Sequence, residues 1–137
     1  MGRIVAIDYG KKRTGLAVTD PLRITANPLL TIPTQELIEW LRAYINKEQV
    51  DEVVIGHPTQ LNGQESESMQ YIKPFMALFA KSFPHIPLIP FDERFTSTIA
   101  HRAMIDGGMS KKKRQDKAVV DKLAACIILE DYLNTKH

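Results

Sequence analysis

The chain has 137 residues and a mass of 15.5 kDa, a length that predicts one domain over 1–137, able to bury a core without disulfide staples. Apolar residues make up 44% and charged residues 25%, which excludes a disordered or collagen-like chain, and no apolar run approaches the ~20 residues of a membrane span. The opening MGRIVAID is too short in apolar residues for a secretion signal, and the single Cys126 has no intrachain partner, so a cytoplasmic protein with no membrane association is expected. Cys126 lies in the apolar run Ala124 to Leu129 and reads as a buried structural thiol.

In chain order, Arg3 to Asp8 reads as a short apolar strand that ends in a carboxylate, and Thr14 to Thr19 as a second strand. The link Tyr9 to Arg13, with Gly10 inside it, has the length of a hairpin. A third strand is predicted over Ile24 to Ile32, where Pro28 points to a sheet edge or a bulge. Leu37, Ile38, Leu41, Tyr44 and Ile45 share one helical face, predicting a helix over Thr34 to Lys47. Glu52 to Ile55 reads as a buried strand stopped by Gly56-His57-Pro58, followed by a polar loop with Asn62-Gly63. A helix over about Glu65 to Phe83 carries Pro74, expected to kink or split it. Ile86 to Phe91 is the last strand and leads into Asp92-Glu93-Arg94. Thr96 or Ser97 can cap a further helix that Gly107-Gly108 ends. The final helix runs from about Asp116 to Asn134. Trp40 and Phe75 read as core residues. A three-strand antiparallel meander followed by alternating helices and strands describes an α/β domain with a mixed, partly parallel sheet.

Charge is distributed unevenly. Net charge is +2, yet Lys11, Lys12 and Arg13 carry +3 and the stretch Lys111 to Lys117 carries +4, so the remainder of the chain is acidic. Either basic loop alone reads as a solvated surface. Both together point to a polyanion only if they reach one site.

Sites in open α/β sheets form at the carboxyl ends of parallel strands. Asp8 ends the first strand, and Asp92 and Glu93 end the last. At 100° per residue, Asp121 of the final helix falls between Ile128 and Tyr132, on a side shared with Ala124 and Ala125. A carboxylate on an apolar stripe must be paired or bind a metal. The two alanines allow close approach to the sheet, which would bring Asp121 toward Asp8. Each acid alone also has a plain structural reading: Asp8 as a turn cap, Glu93 paired with Arg94, Asp121 bonded to a backbone amide. Taken together, three carboxylates without clustered His or Cys suit a hard divalent cation, Mg²⁺ or Mn²⁺, rather than zinc. Such an ion bridges carboxylates to phosphates, which gives the two basic loops a common purpose.

Asp8-Tyr9-Gly10 with Gly15-Leu16-Ala17, Gly56-His57-Pro58 with Asn62-Gly63, Asp92-Glu93-Arg94-Phe95-Thr96-Ser97, and Val120-Asp121 with Ala124-Ala125 and Tyr132 follow one another along nearly the whole chain. Together they resemble the YqgF family of pre-16S rRNA nucleases and Holliday-junction-resolvase-like proteins; one motif would be weak, but the ordered set is specific. The resemblance implies a ribonuclease-H-like fold, with a five-stranded mixed sheet flanked by helices. It also implies divalent-metal-dependent phosphodiester hydrolysis, with Asp8, Glu93 and Asp121 as both catalytic and metal-holding acids. Related resolvases carry their second acid at the end of the fourth strand, where this chain has Gly56-His57-Pro58, so Glu93 must substitute. His57 departs from an apolar preference of the family, and the simpler reading is that it fills a loop pocket. On this reading Lys11, Lys12, Arg13, Arg94, Lys111, Lys112, Lys113 and Arg114 contact nucleic acid. Arg94 could instead pair with Asp92.

Two other readings compete. Asp8-x-Gly10 with Gly15 also matches the phosphate-binding hairpin of the actin, Hsp70 and sugar-kinase group, which closes two such domains around ATP; this length supplies one. A non-catalytic nucleic-acid-binding module of ribosome assembly would keep the fold and leave the acids idle. Tyr9 is the ring nearest the basic loops in sequence, so base stacking is not expected. That leaves backbone and shape recognition, which suits a structured rRNA precursor and branched DNA alike, by a monomer or a homodimer.

Overall fold

The computed structural model of the chain describes residues 2–57, 69–92 and 117–135; for His57, Asp92 and residues 117–121 it describes the backbone alone. Its elements are β1 (Arg3–Asp8), β2 (Arg13–Thr19), β3 (Ala26–Pro33), a 3-10 turn (Thr34–Glu36), α1 (Leu37–Lys47), β4 (Val50–His57), α2 (Met69–Ser82), β5 (Leu88–Asp92) and α3 (Lys117–Thr135). The five strands form one mixed sheet in the order β3-β2-β1-β4-β5. β1, β2 and β3 are antiparallel neighbours, whereas β4 lies parallel to β1 and β5 parallel to β4. This is the expected three-strand meander with two parallel strands.

β1 is central, and Ile4, Val5, Ala6 and Ile7 are all fully buried, as an unbroken apolar run requires when both faces are covered. Successive side chains therefore separate two cores. Val5 and Ile7, with Leu16, Val53 and Ile55, pack against Leu37 and Leu41 of α1 and Ile72, Phe75 and Phe79 of α2. Ile4 and Ala6, with Ala17 and Val54, pack against Ala125, Ile128, Leu129 and Tyr132 of α3. Burying one such side chain contributes about 1.5–3 kcal/mol. Asp8 has the parity of Ile4 and Ala6, so β1 delivers it on the α3 side of the sheet.

β3 is an edge strand, as Pro28 requires, and its register slips where Leu16 faces Leu30 and Ala17 faces Pro28. It begins at Ala26, not Ile24. Asp20 Oδ1 accepts the N–H groups of Ile24 (2.8 Å) and Thr25 (2.7 Å), which withholds those donors from the ladder. β4 runs through Gly56 and His57, which were expected to stop it, because β5 continues the ladder to His57 against Asp92. β5 starts at Leu88 rather than Ile86, whose N–H is spent on Phe83 (3.1 Å). α2 is not split: Pro74 lies on its exposed side, as does Gln70, whose carbonyl loses its helical donor and faces solvent. Phe75 is core, but Trp40 is half-buried, stacked on Tyr44 with ring centroids 4.9 Å apart.

α3 packs across β1, β2 and β3. Its direction follows from its last turns. Leu133 and Asn134 line a hollow with Leu22 and Arg23 from the β2–β3 turn, and Tyr132 donates its hydroxyl to Glu52 Oε1 (2.8 Å), so the last turn of α3 lies toward the end of the sheet where β1 begins. The Tyr132 ring reaches back edge-on to Phe91, near the other end.

Candidate nucleic-acid cleavage site

The carboxyl ends of β1, β4 and β5 lie side by side. Ile7 is in register with Ile55, and Phe91 and Asp92 are in register with Gly56 and His57. One step beyond Ile7, Asp8 pairs across with Gly15 of β2 and comes level with Gly56 of β4. Gly56 is buried and has no side chain. Position 57 has the parity of Val53 and Ile55, opposite to that of Asp8.

Residue 121 lies eleven positions before Tyr132, about 16 Å of helix, on the element that packs against the Ile4 and Ala6 face of the sheet. It precedes Ala125, Ile128 and Tyr132 on one helical stripe, all buried against that sheet. Ala124 and Ala125 are fully buried, as close approach of this helix requires. Glu93, the next residue after Asp92, lies outside the described residues, as do Asn62-Gly63, Arg94, Thr96, Ser97, Gly107-Gly108, Lys111, Lys112, Lys113 and Arg114. Among the described residues no three His, Cys, Asp or Glu side chains come together.

The first basic loop borders this end of the sheet. Gly10 is needed there, because a Cβ would overlap the carbonyl oxygen of Arg13. Thr34 pins the loop twice: its hydroxyl donates to the Gly10 carbonyl (2.6 Å) and its N–H to the Lys12 carbonyl (3.0 Å). That hydroxyl's one proton is spent on Gly10. In the 2.9 Å contact between Thr14 Oγ1 and Thr34 Oγ1, Thr14, fully buried, must therefore be the donor. Lys11 and Lys12 are exposed and Arg13 half-buried, and together with Gly10 they line a shallow hollow. Sequence reasoning missed Thr34, whose place after Pro33 suggested only a helix start.

It also missed a ring. Tyr9 packs on Phe75 of α2, with centroids 5.1 Å apart, and burial pushes its hydroxyl pKa up. One helical turn before Phe75, Tyr71 is 37% exposed, and Lys11 Nζ lies 5.2 Å from its ring centroid. The basic loop therefore has a second, accessible aromatic neighbour that sequence proximity does not reveal. Cys126, by contrast, is inert as expected: burial, with Glu130 nearby, pushes its thiol up to about 11.

A mixed sheet in this order, with helices on both faces and acids at the ends of its parallel strands, defines a ribonuclease-H-like protein. The solved structure of T. thermophilus RuvC in complex with a Holliday junction substrate has this fold, with a TM-score of 0.55 at 13% identity over 98% of this chain and 95% of that one. The sequence profile of the RuvX family, described as Holliday junction resolvase, matches residues 2–135, and the chain belongs to that family. Two curated relatives carry the name "Putative pre-16S rRNA nuclease". The protein from Phocaeicola vulgatus is 55% identical over 99% of this chain and 98% of its own length, and that from Porphyromonas gingivalis is 54% identical over 98% and 97%. The family is thus named for nuclease activity, hydrolysis of phosphodiester bonds. Among the described residues no helix is long and apolar enough to cross a membrane.

Proposed function

We propose that this chain, acting as one domain, is a divalent-metal-dependent nuclease that processes the 5′ end of pre-16S rRNA in ribosome biogenesis, with Asp8, Glu93 and Asp121 as its catalytic carboxylates. What supports the reading is the topology: β1 ends in Asp8 with the ends of β4 and β5 beside it, and α3, which carries position 121, packs on the face of the sheet that holds Ile4 and Ala6. The substrate comes from the names of the relatives. A ribosomal-RNA substrate goes with a cytoplasmic site of action.

The donor set is all carboxylate oxygen, which fits a hard ion such as Mg²⁺ or Mn²⁺. Bound there, such an ion supplies Lewis-acid charge and an activated water at neutral pH. The chain's own part is positioning. Lys11, Lys12 and Arg13 bind phosphates on a loop that Thr34 holds fixed, so the scissile phosphodiester is oriented before water attacks phosphorus opposite the leaving oxygen. Arg94 and Lys111 to Arg114 extend the cationic surface along the substrate.

A second reading, cleavage of branched DNA by a symmetric pair of sites, is favoured by the family's description and by the Holliday junction held by the RuvC neighbour. One assay separates the readings: cleavage of an end-labelled pre-16S 5′ fragment and of a four-way DNA junction, with Mg²⁺ or Mn²⁺, by wild type and by folded Asp8→Asn. Metal-dependent cutting of the rRNA fragment, lost in Asp8→Asn, is expected. Cutting of the junction alone would move the substrate to DNA. Equal inertness of both proteins on substrates they still bind would leave a binding module.

A further inference from the structure

We infer that Tyr71 is a stacking platform for an unpaired base of the substrate, with Lys11 holding the phosphate of that nucleotide. The inference rests on the nuclease reading above and deepens it, because it says what kind of nucleic acid the site prefers. Tyr71 and Phe75 lie one turn apart on α2, and Phe75 is buried against Tyr9 at the foot of the basic loop. Tyr71 continues this aromatic row outward, where the core no longer covers it. The described length of α2, Met69–Ser82, carries Lys73 and Lys81 and no acid.

The Lys11 ammonium over the Tyr71 ring sets the two groups a nucleotide needs side by side, a π-face for the base and a cation for the phosphate. An exposed cation–π contact is weaker than a charge-assisted contact to phosphate. A phosphate therefore draws Lys11 off the ring and uncovers the face on which the base stacks. Because Thr34 fixes the backbone of that loop, the Lys11 side chain can swing from ring to phosphate while the loop stays beside Tyr71. Every base has a π-face, so this contact selects single-stranded over paired nucleotides without selecting sequence.

The test is binding without divalent ions, by fluorescence anisotropy, of one short RNA duplex made blunt or with a single-stranded overhang. Wild type should prefer the overhang. Tyr71→Ala should lose about tenfold on the overhang substrate and little on the blunt one, and Tyr71→Phe should keep the preference. Salt dependence should be unchanged in Tyr71→Ala, which alters no charge, and shallower by about one in Lys11→Ala. The inference is overturned if Tyr71→Ala binds both RNAs as wild type does or weakens both equally, or if Tyr71→Phe is as damaging as Tyr71→Ala. Weakening by Lys11→Ala alone would sink the stacking role and spare the nuclease reading. If wild type binds neither RNA, that reading falls too.

Discussion

Replacing Thr34 by Val keeps the shape of the side chain and removes its hydroxyl. Two bonds go with it, the 2.6 Å donation to Gly10 and the 2.9 Å acceptance from Thr14. The Gly10 carbonyl can turn to water, since Gly10 is only half-buried. Thr14 cannot, because it is fully buried, and stranding its O–H costs about 1–3 kcal/mol. For a domain of this size that lowers Tm on the order of 5–10 °C. Thr14→Val leaves Thr34 its bond to Gly10 and removes only a donor to a half-exposed oxygen, so it should cost about 0.5–1.5 kcal/mol. The double variant strands no buried donor. Its cost should therefore fall short of the sum of the singles by about 1 kcal/mol. Urea unfolding of the four proteins, followed through Trp40, gives the cycle directly. Additive single costs, or a Thr34→Val cost within 0.5 kcal/mol of zero, would refute the proton assignment that makes Thr14 the donor. Thr34→Val should also weaken nucleic-acid binding at unchanged salt dependence, since it loosens a charged loop without altering its charge.

With its thiol near 11, Cys126 is ionised to about one part in a thousand at pH 8, so a disulfide reagent should label native protein at least a hundredfold more slowly than denatured protein; comparable rates would place the thiol outside the core. The Gly2 N–H, helped by Gln49 and Arg23, holds the Asp51 carboxyl below its usual range. The ionised form thus adds stability that is present above the unfolded value, near pH 4, and lost as pH falls through the folded one. Denaturation midpoints between about pH 5 and 3 should fall less steeply in Asp51→Asn, and parallel profiles would show that the charge contributes nothing. Ala125→Leu forces extra carbons between α3 and the sheet, where Ala125 is fully buried, and should cost about 1–3 kcal/mol. Cleavage by the surviving folded protein should fall as well, because position 121 moves with the helix. Full activity would separate α3 from the site.

What could be read from residues alone was whatever depends on local period. The apolar run of β1 announced a buried strand, and the 3.6-residue period of α3 put Ala125, Ile128 and Tyr132 on one stripe, which is buried against the sheet. Both readings hold because sheet and helix keep these periods. Pro28 announced the edge and the slipped register of β3 for the same reason: a missing N–H is a property of one residue. What failed depended on a partner. Gly56 and His57 read as strand breakers, but β4 has β1 on one side and β5 on the other, and the ladder to Asp92 carries the strand two residues further. Ile24 read as strand because it is apolar, yet Asp20 claims its N–H and leaves it 71% exposed; the Asp20-Pro21 pair was the local signal for that turn.

Tyr71 had no local signal at all, since its meaning comes from a lysine sixty positions away that only the packing of α2 beside the β1–β2 loop brings to it. The displaced second acid follows the opposite logic. The strand end beside Asp8 carries Gly56, which cannot supply a carboxylate, and the next residue, at position 57, has the opposite parity to Asp8. An acid serving the α3 face must then come from the neighbouring strand. β5 puts Phe91 on that face, and Ile89 before it. On the proposed assignment of Glu93 as the partner of Asp8, Glu93→Gln should abolish cleavage where Asp92→Asn leaves part of it.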